Sequence, residues 1–378
     1  MVPLLKRTLL FSALAILVAG CQNKDSSVTV FGPKELAIGV VLPETGQYAD
    51  LGKSARQGIE FAFDEINEIG GIRGIVLKAI FIDDNSQPEK SAQAVRDFAE
   101  QPDIVAVIGG LTDELAFAGG VQANRRKIVY ITPLAGAIGI PDLGPYIYRN
   151  RMNYSISAAR LAEYLFQIEG KRSYAIIYPF NEYGSNMAEI FARRIKELGG
   201  VVAGKESYTV NSYSFNSTIA KISSNNLQVL FVPCYASELS GIAGQIYQNG
   251  LMMMLAGADS WTNDGKVSQG IKYLEGAIYT SSFYVDSNSQ NVIEFVQKYK
   301  QKFGVTPDTI TAHCVDTVRL LAQCVYAGAF NREAIKNELL RIKNYPGLTG
   351  QTTFNGNRDA EKQLSFLTVS GGKVEKIQ

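Results

Sequence analysis

The chain of 378 residues is too long for one ordinary core and long enough for two lobes of ordinary size. With 46 % hydrophobic and 19 % charged residues it has the make-up of a folded globular protein and not of a disordered one. Its formal net charge is +1 and it carries no long basic run, which argues against nucleic acid as a partner.

The first segment reads as a leader. Lys6 and Arg7 form a short positive region, and an apolar stretch follows over 8–18. That stretch falls short of the ~20 apolar residues that a membrane span needs. It closes on Leu17-Val18-Ala19-Gly20-Cys21, small residues before a cleavage point. The pattern resembles a bacterial lipoprotein signal, in which the cysteine becomes the first mature residue and carries lipid. We therefore expect a signal peptide over 1–20, lipidation at Cys21 and a polar, lipidated tether over 21–35. No later apolar run is long enough to span a bilayer, so the lipid is expected to be the only membrane anchor. The remaining cysteines are Cys234, Cys314 and Cys324. Cys314 and Cys324 fall ten residues apart on one expected helix, too far at ~1.5 Å rise per residue to bond. All three are expected to be buried apolar thiols.

From there β-branched runs alternate with amphipathic segments. Strands are expected over 36–42, 75–82, 104–108 and 127–131, with helices over 52–69, 88–100 and 113–125 between them. Ala92, Val95, Phe98 and Ala99 recur at helical spacing, and Gly70-Gly71 punctuates the end of the first helix. The pattern then restarts. Strands over 173–178, 201–208, 229–232 and 252–256 alternate with helices over 153–169, 182–198, 214–224 and 237–249. A late helical block follows over 289–303, 307–327 and 332–341, and strand-like sequence returns over 351–354 and 364–369. Such alternation gives parallel sheet covered on both faces, so the expected fold is α/β with two doubly wound lobes. Ligands of open parallel sheets bind beyond the carboxyl ends of the strands. The loops at those ends are 43–51, 109–113, 132–136, 179–183, 233–237 and 257–261, and several carry aromatic, hydroxyl or acidic residues.

Catalytic chemistry finds little material. The single histidine, His313, lies on an expected helix with no cysteine or carboxylate at a metal-ligand spacing. No Gly-x-Ser-x-Gly elbow is present. The segment from Gly46 to Ser54 resembles a phosphate loop but places five residues between its glycines where the motif has four. Asp83 and Asp84 are adjacent at a strand end, so their side chains diverge. They are expected to stabilise the loop and cap the helix after Pro88, and not to act as an acid pair. No catalytic residue, metal or cofactor is expected.

Specific residues carry a family resemblance. Gly39-Val40-Val41, Gly46, Asp64-Glu65-Ile66-Asn67, Gly70-Gly71-Ile72-Arg73-Gly74, Asp83-Asp84 with Pro88, Val107-Ile108-Gly109 and Ile131-Thr132-Pro133 resemble one lobe of the branched-chain amino acid binding proteins. Tyr183-Gly184, Tyr235 with Glu238, Gly250-Leu251 and Glu275-Gly276 continue the likeness in the other. The chain thus resembles the type I periplasmic binding proteins that feed ABC importers. The resemblance implies two lobes joined by a three-strand hinge, with crossings near 149–153, 280–284 and 352–355. One lobe would combine 36–151 with 283–352 and the other 152–282 with 353–378. It also implies ABC permease subunits as partners, a periplasmic or exterior location, and capture of a solute by hinge closure. A ligand-sensing lipoprotein of the same fold is the alternative.

In that family a serine and a threonine, helped by backbone N–H groups, hold an amino acid carboxylate. Their positions fall here on Asp113, beside Thr112, and on Gly136 in Leu134-Ala135-Gly136. Asp113 would meet a ligand carboxylate with like charge, and Gly136 offers no hydroxyl. Asp259 falls where the family has an acid for the ammonium, and Tyr183 and Tyr235 where aromatic residues close over the ligand; Trp261 lies in the loop of Asp259. The ligand expected is amino-acid-like or amine-bearing. Asp113 and Asp259 would accept from it, and Tyr183, Tyr235 and Trp261 would stack on it. The competing role for both aspartates is N-capping of the helices they precede.

Overall fold

In the computed structural model, which describes residues 32–222, 226–261 and 270–377, the first sheet is built from five parallel strands. The leader expected over 1–20, Cys21 and the tether as far as residue 31 lie outside the described residues, as do the last two residues of the helix expected over 214–224. The strands are β1 (Glu35–Leu42), β2 (Val76–Asp83), β3 (Ile104–Ile108), β4 (Val129–Thr132) and β5 (Ile147–Arg149), in the order β2-β1-β3-β4-β5. β3, Ile-Val-Ala-Val-Ile, is buried along its whole length, as a parallel strand covered on both faces must be. Helices α1 (Ala49–Glu68), α2 (Pro88–Ala99) and α3 (Asp113–Arg125) connect the strands. The order reverses between β1 and β3, which opens a crevice at their carboxyl ends.

The second sheet runs β15-β14-β10-β9-β8-β6-β7. Its parallel part is β6 (Ser173–Pro179), β7 (Val201–Tyr208), β8 (Val229–Phe231), β9 (Met254–Gly257) and β10 (Ile278–Ser281). The connecting helices are α4 (Tyr154–Glu163, prolonged by a π turn over Tyr164–Ile168), α5 (Glu182–Glu197), α6 (Asn216–Ile222) and α7 (Ala236–Gln248). After β10 the chain returns to the first sheet through α8 (Gln290–Phe303), α9 (Thr309–Tyr326) and α10 (Arg332–Arg341). α9 packs along α1, and α10 packs against β3 and β4. A small sheet of β11 (Tyr345–Gly347), β12 (Gly350–Phe354) and β13 (Ala360–Glu361) follows, before β14 (Ser365–Ser370) and β15 (Lys373–Lys376) extend the second sheet antiparallel.

The chain passes from one sheet to the other after β5, after β10 and after β13. The last passage lies beyond the 352–355 expected from the sequence. β12 pairs with β13, and Asp359 forms a bridge with Arg149 of β5, so the chain stays beside the first sheet through Glu361. Arg149 is buried and grips Asp359 through two bonds of 2.5 and 2.6 Å. The capping role expected of Asp83 and Asp84 is also corrected. The N-cap of α2 is Gln87, with no side-chain bond. Asp83 instead gathers the N–H groups of Glu44, Thr45 and Asn85, and Asp84 accepts from the Ser86 N–H. Burial pushes Asp83 up, but bonds from Thr45, Asn85 and Glu44 prevail and hold it below the usual aspartate value.

One helix, α9, ties the three passages together. His313 Nδ1 bonds the Asn150 carbonyl at 3.2 Å, and its Nε2 meets the Ser282 hydroxyl at 2.8 Å. A carbonyl only accepts, so Nδ1 carries the proton and Nε2 accepts from Ser282. Burial holds His313 well below its usual pKa, in the neutral form. Thr317 Oγ1 accepts from Asn150, and Asp316 accepts from the Thr349 hydroxyl. On the third passage the buried Lys362 donates to Thr349 and Thr352 at 2.7 and 2.6 Å.

Candidate ligand-binding site

The strand-end loops of both sheets converge on a narrow cavity of about 50 Å³. Tyr48 and Leu51 reach it from the loop and helix after β1. Leu111 and Thr112 come from the loop after β3, Asp113 and Glu114 from the first turn of α3, and Leu134 from the loop after β4. Arg151 stands on the passage after β5, and Tyr154 opens α4. The second sheet supplies Asn181, Glu182 and Tyr183 after β6, Tyr235 after β8 and Ser260 after β9. Among the described residues, no group of three or more His, Cys, Asp or Glu is placed to hold a metal ion.

Asp113 is the organising group. Its side chain is buried. Oδ1 accepts the N–H groups of Gly136 and Ala137 at 2.9 and 3.0 Å, and Oδ2 accepts the Tyr154 hydroxyl at 2.9 Å. It does not cap α3: Thr112 holds the N-cap position, and Asp113 is the first helical residue. Gly136 is required here because a Cβ would overlap the Tyr154 ring. The Gly136 N–H therefore points to Asp113. Ala135 is buried, with its N–H on Thr132 Oγ1 at 3.1 Å. Of the three loop residues expected to meet a ligand, only Leu134 lines the cavity.

Arg151 was not singled out by sequence. Its guanidinium donates to the Leu134 carbonyl at 2.9 Å and to Asp259, joining the loop after β4 to the loop after β9. Burial works against the Arg151 charge, but Asp259 across the cleft prevails and raises its pKa. Asp259 is thus committed to an ion pair. Trp261 requires the largest correction. It is fully buried in the second-sheet core, where Nε1 donates to the Val232 carbonyl at 2.8 Å and the ring lies 5.5 Å from that of Tyr279. Its indole covers Gly257, where a Cβ would collide with it. It does not reach the cavity.

Tyrosines wall the space instead. The rings of Tyr154 and Tyr183 meet edge-on at 5.2 Å, and Tyr183 and Tyr235 lie 5.5 Å apart. Ser260 donates to the Cys234 carbonyl, so the Tyr183 hydroxyl donates to Ser260, both at 2.7 Å. Asn181 donates to the Tyr235 hydroxyl at 3.0 Å. The electrostatics are acidic. Burial, then the charges of Asp113 and Glu114, push the Glu182 carboxyl up. Burial, then Glu114 and Asp113, raise Tyr48 to about 12. Tyr48, Glu182 and Ser260 lie in loops that the sequence marks as strand ends. Arg151 and Tyr154 carry no such mark, because their partners are distant in the chain.

A family model described as periplasmic binding protein matches residues 35–373. The Leu/Ile/Val-binding protein homolog 1 of Brucella suis is 24 % identical over 86 % of this chain and 85 % of its own length. A leucine-, isoleucine-, valine-, threonine- and alanine-binding protein of Pseudomonas aeruginosa is 23 % identical over 96 % of this chain and 95 % of its own. The branched-chain amino acid transporter substrate binding protein of Streptococcus pneumoniae, solved with isoleucine, superposes with a TM-score of 0.82. It is 24 % identical and covers 90 % of this chain and 98 % of its own. A solute binding protein of R. palustris solved with benzoate gives 0.81 at 19 % identity, covering 91 % and 95 %. One fold thus serves chemically unlike solutes, so the side chains of the cleft decide what is held. With two doubly wound lobes facing a cleft and a family match over nearly all described residues, the chain belongs to the periplasmic binding protein family.

Proposed function

We propose that the protein is an extracytoplasmic solute-binding lipoprotein of an ABC-type importer that captures a small cationic, amine-bearing solute by closing its two lobes. One observation carries the choice of solute. Acids from opposite lobes, Asp113 and Glu114 on one and Glu182 on the other, converge on a cavity walled by Tyr48, Tyr154, Tyr183 and Tyr235. Closure brings like charges together, and a cation between them offsets the repulsion. The tyrosine faces add cation–π attraction, worth roughly 0.5–2 kcal/mol per contact. The solute therefore stabilises the closed form more than the open one, which couples capture to closure.

The moving units we assign are 35–149 with 283–361, and 154–282 with 365–377. The hinge then contains Asn150, Ser282 and Lys362, all held by α9 or its partners. The leader and Cys21 support export and a lipid anchor. Among the described residues, no helix is long and apolar enough to cross a membrane. A thermal-shift series on the full-length protein tests the reading. Amines and amino acids should raise the melting temperature by mass action. Shifts confined to solutes with no amino group, such as benzoate or a sugar, would sink it.

A further inference from the structure

Resting on the amine-capture reading, we propose that Asp113 fills from within the chain the place of a ligand carboxylate, so that the cleft selects amines carrying no carboxylate beside the amino group. Two successive N–H groups, from Gly136 and Ala137, converge on one Asp113 oxygen, and the Tyr154 hydroxyl meets the other. Backbone donors in this arrangement form an anion nest shaped for a carboxylate. Asp113 and Tyr154 line the cavity and Gly136 and Ala137 do not, so the nest meets the cleft only through Asp113, and its donors are spent on that side chain.

The rest of the wall offers an incoming carboxylate no better seat. Arg151, the cation of the cavity, is committed to Asp259 and the Leu134 carbonyl. Glu114 and Glu182 add like charge. The tight contact of Gly136 with the Tyr154 ring keeps the nest closed over Asp113. A primary ammonium, by contrast, gains from the acids and the tyrosine faces without needing the nest. Asp113 is in this sense a specificity-determining residue that acts by charge and by occupancy.

Matched pairs test the proposal by calorimetry on the full-length protein: 3-methylbutylamine and leucine, phenethylamine and phenylalanine, putrescine and ornithine. Within a pair the amine should bind about a hundredfold tighter or more, the scale of a like-charge penalty in a closed site. Asp113→Asn keeps an acceptor for both N–H groups and removes the charge, and should lower the amine-to-amino-acid ratio at least about tenfold. Asp113→Ala uncovers the nest, and formate should then raise its melting temperature while leaving that of the wild type unchanged. An amino acid that binds as well as its amine overturns the proposal and leaves amine capture standing. A ratio unmoved by Asp113→Asn also overturns it, as does failure of all six solutes to bind. Binding confined to solutes without an amino group overturns both readings.

Discussion

Lys362 gives the hinge a measurable charge cost. Burial, opposed by Asp316, pushes its pKa from 10.5 to about 8, and its ammonium is met by two threonine hydroxyls and, among the described residues, by no carboxylate in direct contact. At 1.36 kcal/mol per pKa unit, the gap is worth about 3 kcal/mol. The sign follows from proton counting. Below pH 8 both folded and unfolded chains carry the proton, and the folded chain bears the full cost of the buried charge. Between pH 8 and 10.5 the unfolded chain still holds a proton that the folded chain has released, so stability rises with pH. The buried thiols of Cys234, Cys314 and Cys324 oppose this trend from about pH 8 upward, and buried tyrosines such as Tyr183 and Tyr235 above about pH 10, all held above their usual values chiefly by burial. Lys362→Met should therefore be more stable than the wild type at pH 7. The gain is about 1–2 kcal/mol once the lost threonine bonds are set against the charge. That corresponds to about 1–3 °C for a chain of this size. Urea denaturation of both proteins from pH 7 to 9.5, followed by near-ultraviolet circular dichroism, measures the difference. The variant should lose stability toward pH 9.5 as the thiols of its unfolded chain ionise, and the wild type should lose less, so that the gap between them closes with pH. Equal slopes would refute the assignment of a costly charge to Lys362.

Three further substitutions separate packing from binding. Trp261→Phe leaves a cavity over Gly257 and removes one of two bonds to the Val232 carbonyl, which keeps the Cys234 N–H, and should cost about 2–3 kcal/mol in denaturant while solute affinity is unchanged. Gly136→Ala drives its methyl into the Tyr154 ring and should break the bond from Tyr154 to Asp113, weakening solute binding more than about tenfold in titration calorimetry. Asp259→Asn leaves the Arg151 charge buried without its ion-pair partner. It should destabilise the protein by about 3 kcal/mol, read in urea as a lower midpoint with the slope kept.

The lobes were legible because their signal is local. β-branched runs such as Ile-Val-Ala-Val-Ile and helices starting at Pro88 or Asp113 announce themselves within a few residues. Short strands were not: β5 has three residues and β13 two, and they exist through pairing with β4 and β12, with Arg149 and Asp359 bridging between them. The same distinction holds in the cleft. Strand-end position together with the family resemblance singled out Thr112, Tyr183 and Tyr235, which line the cavity. It failed for Trp261 because a strand-end loop can fold its ring inward, and the readable sign was Gly257, the residue small enough to lie beneath an indole. Asp113 was placed near the ligand but with its acceptors open. Its real partners lie 23, 24 and 41 residues away, beyond any spacing rule. Arg151 and Asp259, 108 residues apart, were invisible as a pair for the same reason.

The central claim is that a cation draws the two lobes together, and a distance between them tests it most directly. Cys234, Cys314 and Cys324 are buried, so nitroxide labels can be directed to cysteines introduced at the exposed Glu89 and Tyr213, one on each lobe. Double electron–electron resonance on the full-length protein should give a broad distribution without solute. A shorter and narrower one should appear with phenethylamine, and no such change with phenylacetate. Distributions that coincide under all three conditions, or that narrow with phenylacetate alone, would contradict the account.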